Sequence, residues 1–433
     1  MGIVWGSCVA FASAQAHYGE LYGFGVYGAA NSKAVTTRCE SSLHAAYYNP
    51  ALLACDSVWK TELSFVHSYD ALEAINNIRT SSSTYPANPS SVDVASGSVA
   101  TNYPNHRALQ LGVQIPLLHR FPWLKEHKLK LGLSLHWNMD HLASLDANYA
   151  FLPAYTLYGK RDRRVFLSVG SGLEVIPERF WLGASAQFFI TAGISAAMIY
   201  DQSSTGGQTA SDVDLKAAFI LGFRGRPVKD WPLFASLVYH QSSDQRVNAL
   251  ARTDIPLTGG GGQKFTVTST ASIYNEPHRV RLGAAWEKPG WSVESNVVLE
   301  LWRTANHSRT ELTFTNPTKA SIGISNQFKN TFAVHSGGTY HWGPAAFLAG
   351  LSWQPSMIED TSQKENEIDP DKLVMGAGFI YAFADTLKAQ LGYQLQYLIK
   401  KTVTKSSTTF LGSPGYRIGG WIHHVQLGVS SEF

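Results

Sequence analysis

From Leu387 to Tyr397 every second residue is apolar or aromatic, and every residue between them is lysine, glutamine or glycine. A period of two means a strand with one apolar and one polar face. The same pattern recurs where Arg107, Leu109, Leu111, Val113 and Ile115 interleave with His106, Ala108, Gln110, Gly112 and Gln114. It recurs again where Leu129, Leu131, Leu133, Leu135 and Trp137 interleave with Lys128, Lys130, Gly132, Ser134 and His136. Two-faced strands therefore dominate the chain from Val58 onward.

A half-buried soluble sheet also alternates, so connection lengths have to separate the alternatives. Tight turns at 176–179, 287–290, 341–344 and 383–386 take turns with long polar connections near 67–105, 200–212, 241–264, 304–328, 357–371 and 401–420. Short turns at one end and long loops at the other describe a transmembrane β-barrel. Up strands are expected to begin near Val58, Leu129, Phe180, Leu233, Trp291, Ala345 and Leu387. Down strands are expected near His106, Val165, Val213, Phe265, Thr331, Leu373 and Trp421. The reading is an all-β chain forming an antiparallel barrel of about 14 strands, an even number that leaves both ends of the wall on one side of the membrane.

Composition agrees. Charged residues make up 15 % and aromatics 12 %, with 37 glycines, a low charge content for a soluble domain. No run of about 18 apolar residues is present, so no spanning helix is expected. Trp59, Trp137, Trp181, Trp231, Trp286, Trp291, Trp342 and Trp421 fall at strand ends, where aromatic girdles belong. A net charge of +3 with scattered basic residues argues against a nucleic-acid partner.

Residues 1–16 read as part of a secretory signal peptide, apolar and ending in an Ala-x-Ala-like site, with the mature chain starting near His17. The stretch 17–57 does not alternate and reads as a plug inside a wall formed by 58–433. Cys8 leaves with the leader. Cys39 and Cys55 either pair, worth about 3 kcal/mol by loop entropy, or stand as two buried thiols; the exported context favours the pair.

Chemistry-bearing motifs are sparse. Gly23-Phe24-Gly25-Val26-Tyr27-Gly28 has dinucleotide-fingerprint spacing but no surrounding βαβ unit. Gly259 to Gly262 lack the lysine of a phosphate loop. His423 and His424 are adjacent on a strand and face opposite ways, and Asp140-His141 stands isolated. No catalytic residue, metal site or cofactor is assigned, and the chain is not read as an enzyme.

Asn49-Pro50-Ala51 forms a rigid bend, because proline fixes φ and pushes the preceding residue toward an extended shape. Placed between a Gly/Ala-rich exported N-terminus and a barrel, this bend resembles the FadL-type family of outer-membrane transporters for long-chain fatty acids and aromatic hydrocarbons. Pro277 to Trp286 is similar to that family's P-x-x-x-x-x-G-x-x-aromatic strand, followed by the Trp291–Trp302 stretch with acidic Glu294. Phe332 to Tyr340, with Gly337-Gly338, and Asp371 to Phe383 are also similar, and Phe433 resembles the terminal signal read by barrel-assembly machinery.

The resemblance implies a 14-stranded barrel closed by an N-terminal hatch. It implies capture of a hydrophobic ligand by extracellular loops, passage to a site touching the hatch, and sideways exit into the membrane without an energy source. The apolar cluster Leu142, Tyr149, Phe151, Leu152, Tyr155, Leu157 and Tyr158 suits a capture groove, though a loop packing on itself has the same composition. His17, Tyr18, Tyr22 and Phe24 are candidates to meet the ligand from the hatch. Arg279, Arg281, Lys130 and Lys388 face the lumen by parity and are candidate partners for a fatty-acid carboxylate. The connection from Asp201 to Asp212 reads as a short polar loop, which departs from the family pattern. The expected protein is a monomer in the outer membrane, with a porin-like channel for polar solutes and an adhesin or receptor barrel as the alternatives.

Overall fold

The computed structural model describes residues 18–40, 42–81, 94–99, 105–117, 128–139, 154–155, 157–158, 165–200, 205–256, 262–304, 310–315, 320–324, 328–359, 367–404 and 415–433. Fourteen strands make a closed antiparallel barrel. They are β1 (Lys60–Leu72), β2 (His106–Pro116), β3 (Leu129–Asn138), β4 (Phe166–Ile176), β5 (Phe180–Tyr200), β6 (Thr205–Gly225) and β7 (Leu233–His240). There follow β8 (Arg279–Lys288), β9 (Trp291–Glu300), β10 (Thr331–Trp342), β11 (Ala345–Gln354), β12 (Lys372–Ala384), β13 (Leu387–Thr404) and β14 (Gly415–Glu432). Each strand pairs with its sequence neighbour within this set, and closure comes from β14 on β1, with Lys60 opposite Glu432 and Leu72 opposite Gly420. The backbones of Trp59 and Phe433 exchange two hydrogen bonds just beyond that seam, so both ends of the wall lie at the end of the short turns.

The alternation decides which face each side chain takes. On β13, Gln390, Gln394 and Gln396 are buried inside while Leu387 and Leu391 are exposed outside. On β14, His424 is buried and His423 faces outward, so the adjacent histidines point to opposite faces as expected. The outer face carries Leu215, Phe219, Leu221, Leu282, Phe332 and Leu427, each more than half exposed to the surroundings. Trp59, Trp231, Trp342 and Phe383 ring the turn end, and Tyr69, Trp137, Trp353 and Trp421 lie toward the loop end. An apolar outside around a polar, buried inside inverts the usual soluble arrangement.

Two strand expectations need correction. Thr205 to Asp212 belongs to β6: it pairs with β5 out to Tyr200 opposite Thr205, so the expected polar loop is a long hairpin. Beyond the apolar band a strand needs no apolar face, which is why its sequence reads as a loop. The strand expected near Phe265 is likewise the second arm of an outer hairpin, Ser243–Pro256 with Gly262–Glu276. The wall strand proper is β8, which starts three residues after Glu276. Pro277 lacks the N–H needed to stay in the ladder, and the chain re-enters the wall after it.

The N-terminal segment lies within the wall. Its helices α1 (Tyr18–Tyr22), α2 (Gly25–Ala30) and α3 (Ser42–Tyr48) are followed by a 3-10 turn at Pro50–Cys55. These pieces are too short to be stable alone. Burial against the inward faces of the strands holds them: Phe24, Val26, Ala29, Ala30, Ala45, Tyr48 and Leu53 have no exposed surface.

Candidate functional site: the filled interior of the barrel

The Asn49-Pro50-Ala51 bend is set into the wall. Asn49 caps the 3-10 turn, its Oδ1 accepting from the Ala51 N–H at 3.0 Å, and proline occupies the first position, where no donor is needed. Its Nδ2 donates to the Thr36 carbonyl at 2.7 Å and the Phe223 carbonyl at 3.3 Å. The wall makes room through a row of glycines in register across three strands, Gly172 opposite Gly183 and Gly183 opposite Gly222. A Cβ at Gly222 would lie 2.1 Å from Asn49 Oδ1, and one at Gly172 would lie 2.6 Å from the Pro50 carbonyl oxygen.

A second such row, Gly337 opposite Gly350 and Gly350 opposite Gly376, seats the turn after α2. A Cβ at Gly350 would lie 2.2 Å from the Asn31 carbonyl carbon. Between the two seats Glu294 binds the backbone of the segment. Its carboxylate accepts from the N–H groups of Thr36 (2.6 Å), Thr37 (3.0 Å) and Arg38 (3.1 Å) and from the Thr36 hydroxyl (2.9 Å). The Arg38 guanidinium completes the contact, with Nε 3.4 Å from Glu294 Oε2. At the turn end, Arg224 lies against the rings of Trp181 and Phe234 and donates to the Thr37 carbonyl at 2.7 Å and to both oxygens of Glu287.

Cys39 and Cys55 are joined by a disulfide, with their Cα atoms 5.9 Å apart. The bridge closes the chain from the end of the Glu294 contact to the end of the 3-10 turn.

The lumenal cations have partners inside the protein. Arg281 Nη2 donates to Glu20 Oε1 of α1, which also accepts from Tyr47 Oη at 2.8 Å. Arg279 donates to Glu300 (2.9 Å) and Glu276 (3.4 Å) and stands 3.9 Å from the same Glu20 oxygen. Burial alone would raise the Glu20 pKa, but Arg281 and Arg279 hold its carboxyl well below the usual carboxylate range. Lys130 pairs with Asp56 and bonds Gln114 (3.1 Å), whereas Lys388 sits at the turn-end rim against Glu432 (2.8 Å). Burial pulls Lys33 down to about 7, and its Nζ donates to the Glu20 carbonyl at 2.6 Å. His44, between the rings of Tyr27 and Tyr48, is pushed down to about 3 by burial.

Above the segment is an apolar cluster that joins three parts of the chain. Tyr22 stacks on His424, with centroids 5.1 Å apart, and Phe24 packs on Phe166 (5.3 Å) and Tyr47 (5.6 Å). Tyr155, Leu157 and Tyr158, from the connection between β3 and β4, are buried in the same cluster. Tyr155 Oη accepts from the Gly419 N–H and donates to the Gly419 carbonyl, both at 2.9 Å. Of the other candidates, His17, Leu142, Tyr149, Phe151 and Leu152 lie outside the described residues, as does the side chain of Tyr18. Glu20 and Arg224 escaped notice in the sequence, because nothing local marks a carboxylate or guanidinium whose partner is hundreds of residues away. Among the described residues no group of side chains has the makings of a metal site.

No protein-family model matches the chain, and no curated protein matches it. Solved structures do. A Pseudomonas aeruginosa FadL homologue is similar with a TM-score of 0.58 at 13 % identity, covering 94 % of this chain and 97 % of that one. The toluene transporter TodX of P. putida gives 0.59 at 12 %, covering 95 % and 99 %. The toluene transporter TbuX of Ralstonia pickettii gives 0.55 at 12 %, again covering 95 % and 99 %. At such identities the likeness is one of fold, and the fold is of the FadL type.

Proposed function

We propose that the protein is an outer-membrane channel for hydrophobic small molecules such as long-chain fatty acids or aromatic hydrocarbons, with residues 17–57 acting as a movable hatch. The observation that carries this reading is the apolar cluster in which Tyr155, Leu157 and Tyr158 of a long loop meet Tyr22 and Phe24 of the N-terminal segment inside the wall. A polar-solute pore has no use for a filled, aromatic interior. A hydrophobic molecule does, because each buried methylene gains about 0.8 kcal/mol.

The apolar exterior suits the bilayer, the tryptophan and tyrosine rings suit its two interfaces, and the fold is shared with a FadL homologue and with toluene transporters. On this reading the loops take ligand from outside, the cluster receives it, and displacement of the hatch frees a path sideways into the membrane. The barrel works as a monomer, folded by the barrel-assembly machinery. No metal, cofactor or catalytic group takes part.

Uptake by a deletion strain, with and without the plasmid-borne protein, is the test. Loss of oleate or toluene uptake on deletion, restored by the wild type but not by Asn49→Ala/Pro50→Ala in a folded barrel, is the expected result. Unchanged uptake of both compounds in the deletion strain would overturn the reading, and rapid sugar-driven liposome swelling would replace it with a porin.

A further inference from the structure

The Arg279–Arg281 pair is a carboxylate site already occupied by a carboxylate of the chain itself. Among the described residues, the Glu20 side chain is met by Arg281 Nη2, by Tyr47 Oη at 2.8 Å and by Arg279 Nη1 at 3.9 Å, all at one oxygen, Oε1. The two guanidinium groups are not thereby saturated. Arg281 Nε and Nη1 and Arg279 Nη2 are buried and have no hydrogen-bond partner among the described residues. A guanidinium has five N–H donors in a fixed fork, and a buried donor left without an acceptor costs about 1–3 kcal/mol. Glu276 and Glu300 take up part of Arg279, but among the described residues Glu20 is the one carboxylate paired with Arg281.

The surroundings suit an elongated apolar acid. Tyr22 and Phe24 follow Glu20 in the chain, Tyr47 bonds its carboxylate, and all three belong to the apolar cluster that also holds Leu157. The tail of a head group at the arginines would lie among these side chains and displace part of the cluster. Glu20 also sits on α1, a helix of five residues whose carbonyls accept from Tyr48 Oη at Gly19, from Lys33 Nζ at Glu20 and from Gln396 Nε2 at Leu21, each at 2.6 Å, so its carboxylate is the charged one among several ties. Moving the Glu20 carboxylate moves the start of the segment.

We infer that Glu20 is a built-in competitor for the ligand's carboxylate: an anionic head group arriving at Arg279 and Arg281 displaces Glu20 and so releases α1 from the wall. An uncharged hydrophobe of the same length occupies the cluster without releasing the helix. The inference rests on the transport reading given above and adds to it a requirement for charge at the release step.

The test uses the full chain in detergent, with oleate and oleyl alcohol as probes, read by binding and by hydrogen exchange of peptides covering residues 18–33. Oleate should speed exchange there about tenfold, the equivalent of about 1.4 kcal/mol, and oleyl alcohol should not. Glu20→Gln should exchange fast without ligand and bind oleate about tenfold more tightly, since the competitor is gone. Tyr47→Phe, which removes one hydrogen bond and no charge, should shift both readouts in the same direction by less, and it keeps the test alive if Glu20→Gln folds poorly. Equal effects of the two probes on residues 18–33, or unaltered oleate affinity in both variants, would overturn the inference while leaving the transport reading intact. Failure of both probes to bind would overturn the inference and leave the transport reading to the toluene arm of the uptake test.

Discussion

Gly183 lies directly under Pro50: a Cβ built on it would fall 2.2 Å from the Pro50 carbonyl carbon and 2.3 Å from the Ala51 nitrogen. The obstructing atoms are backbone, so no side chain can rotate away. Gly183→Ala should therefore push the Asn49–Cys55 turn off its seat at a cost of about 1–3 kcal/mol, while the strand itself, paired on both sides, stays in the wall. Heat-modifiable gel migration should report a folded barrel, and hydrogen exchange across residues 50–55 should rise. Exchange as slow as in the wild type would mean that the turn has room the geometry does not reveal.

Glu294 supplies the acceptors for three successive N–H groups of the segment as well as for Arg38. Replacing it with alanine leaves those donors buried without an acceptor, and we expect a loss of about 3–5 kcal/mol in the seating of residues 34–38. Arg38 keeps Ser292, Thr339 and Glu40, so Arg38→Met should still cost stability in the Glu294→Ala background, but less than in the wild type by the worth of the Arg38–Glu294 contact. Denaturation of the four members of this double-mutant cycle measures both quantities, and additive losses would contradict the shared contact.

Lys33 gives the interior a dependence on pH. Burial lowers its pKa from 10.5 to about 7, so between those values the unfolded chain holds a proton that the folded chain lacks. Stability therefore rises with pH across that window, by at most about 1.4 kcal/mol per unit, and is flat with respect to this group below 7 and above 10.5. Lys33→Met should remove the rise and be the more stable protein at pH 7. A denaturation midpoint that falls from pH 7 to pH 9 in the wild type and in Lys33→Met alike would show that another group governs.

The wall was legible because each strand carries its own record of inside and outside. Parity alone placed Lys130, Arg279 and Arg281 inward and separated His423 from His424. The outer extensions were not legible: from Thr205 to Asp212 both faces are polar, and a two-sided polar strand has no period to read. The interior contacts were hidden for a different reason. Thr36 and Glu294 are 258 residues apart, and the glycines at 172, 183 and 222 form a row only once the register of three strands is known.

The disulfide divides the N-terminal segment into parts with different freedom. It closes a loop of 16 residues around α3 and the Asn49-Pro50 bend, a constraint worth about 3 kcal/mol. Cys39→Ser/Cys55→Ser should lower the stability of that loop by about this amount and speed exchange over residues 42–55. On the proposed transport reading, if the N-terminal segment moves only in the part before Cys39, oleate or toluene uptake should survive the substitution; its abolition would place the moving part inside the loop.

Tyr155 fastens the connection between β3 and β4 to the wall at a bend in β14, where Gly419 and Gly420 have φ of 142° and 132°. Its hydroxyl takes the N–H and the carbonyl of Gly419, closing the ladder just past the point where β1 ends at Leu72 opposite Gly420. Tyr155→Phe keeps the ring in the apolar cluster and removes both bonds, leaving a buried N–H unsatisfied at about 1–3 kcal/mol. The expected result is a folded barrel whose loop and β14–β1 seam exchange faster, with weaker ligand capture at low concentration and normal uptake at saturation. Uptake reduced equally at all concentrations would instead assign Tyr155 to the passage itself.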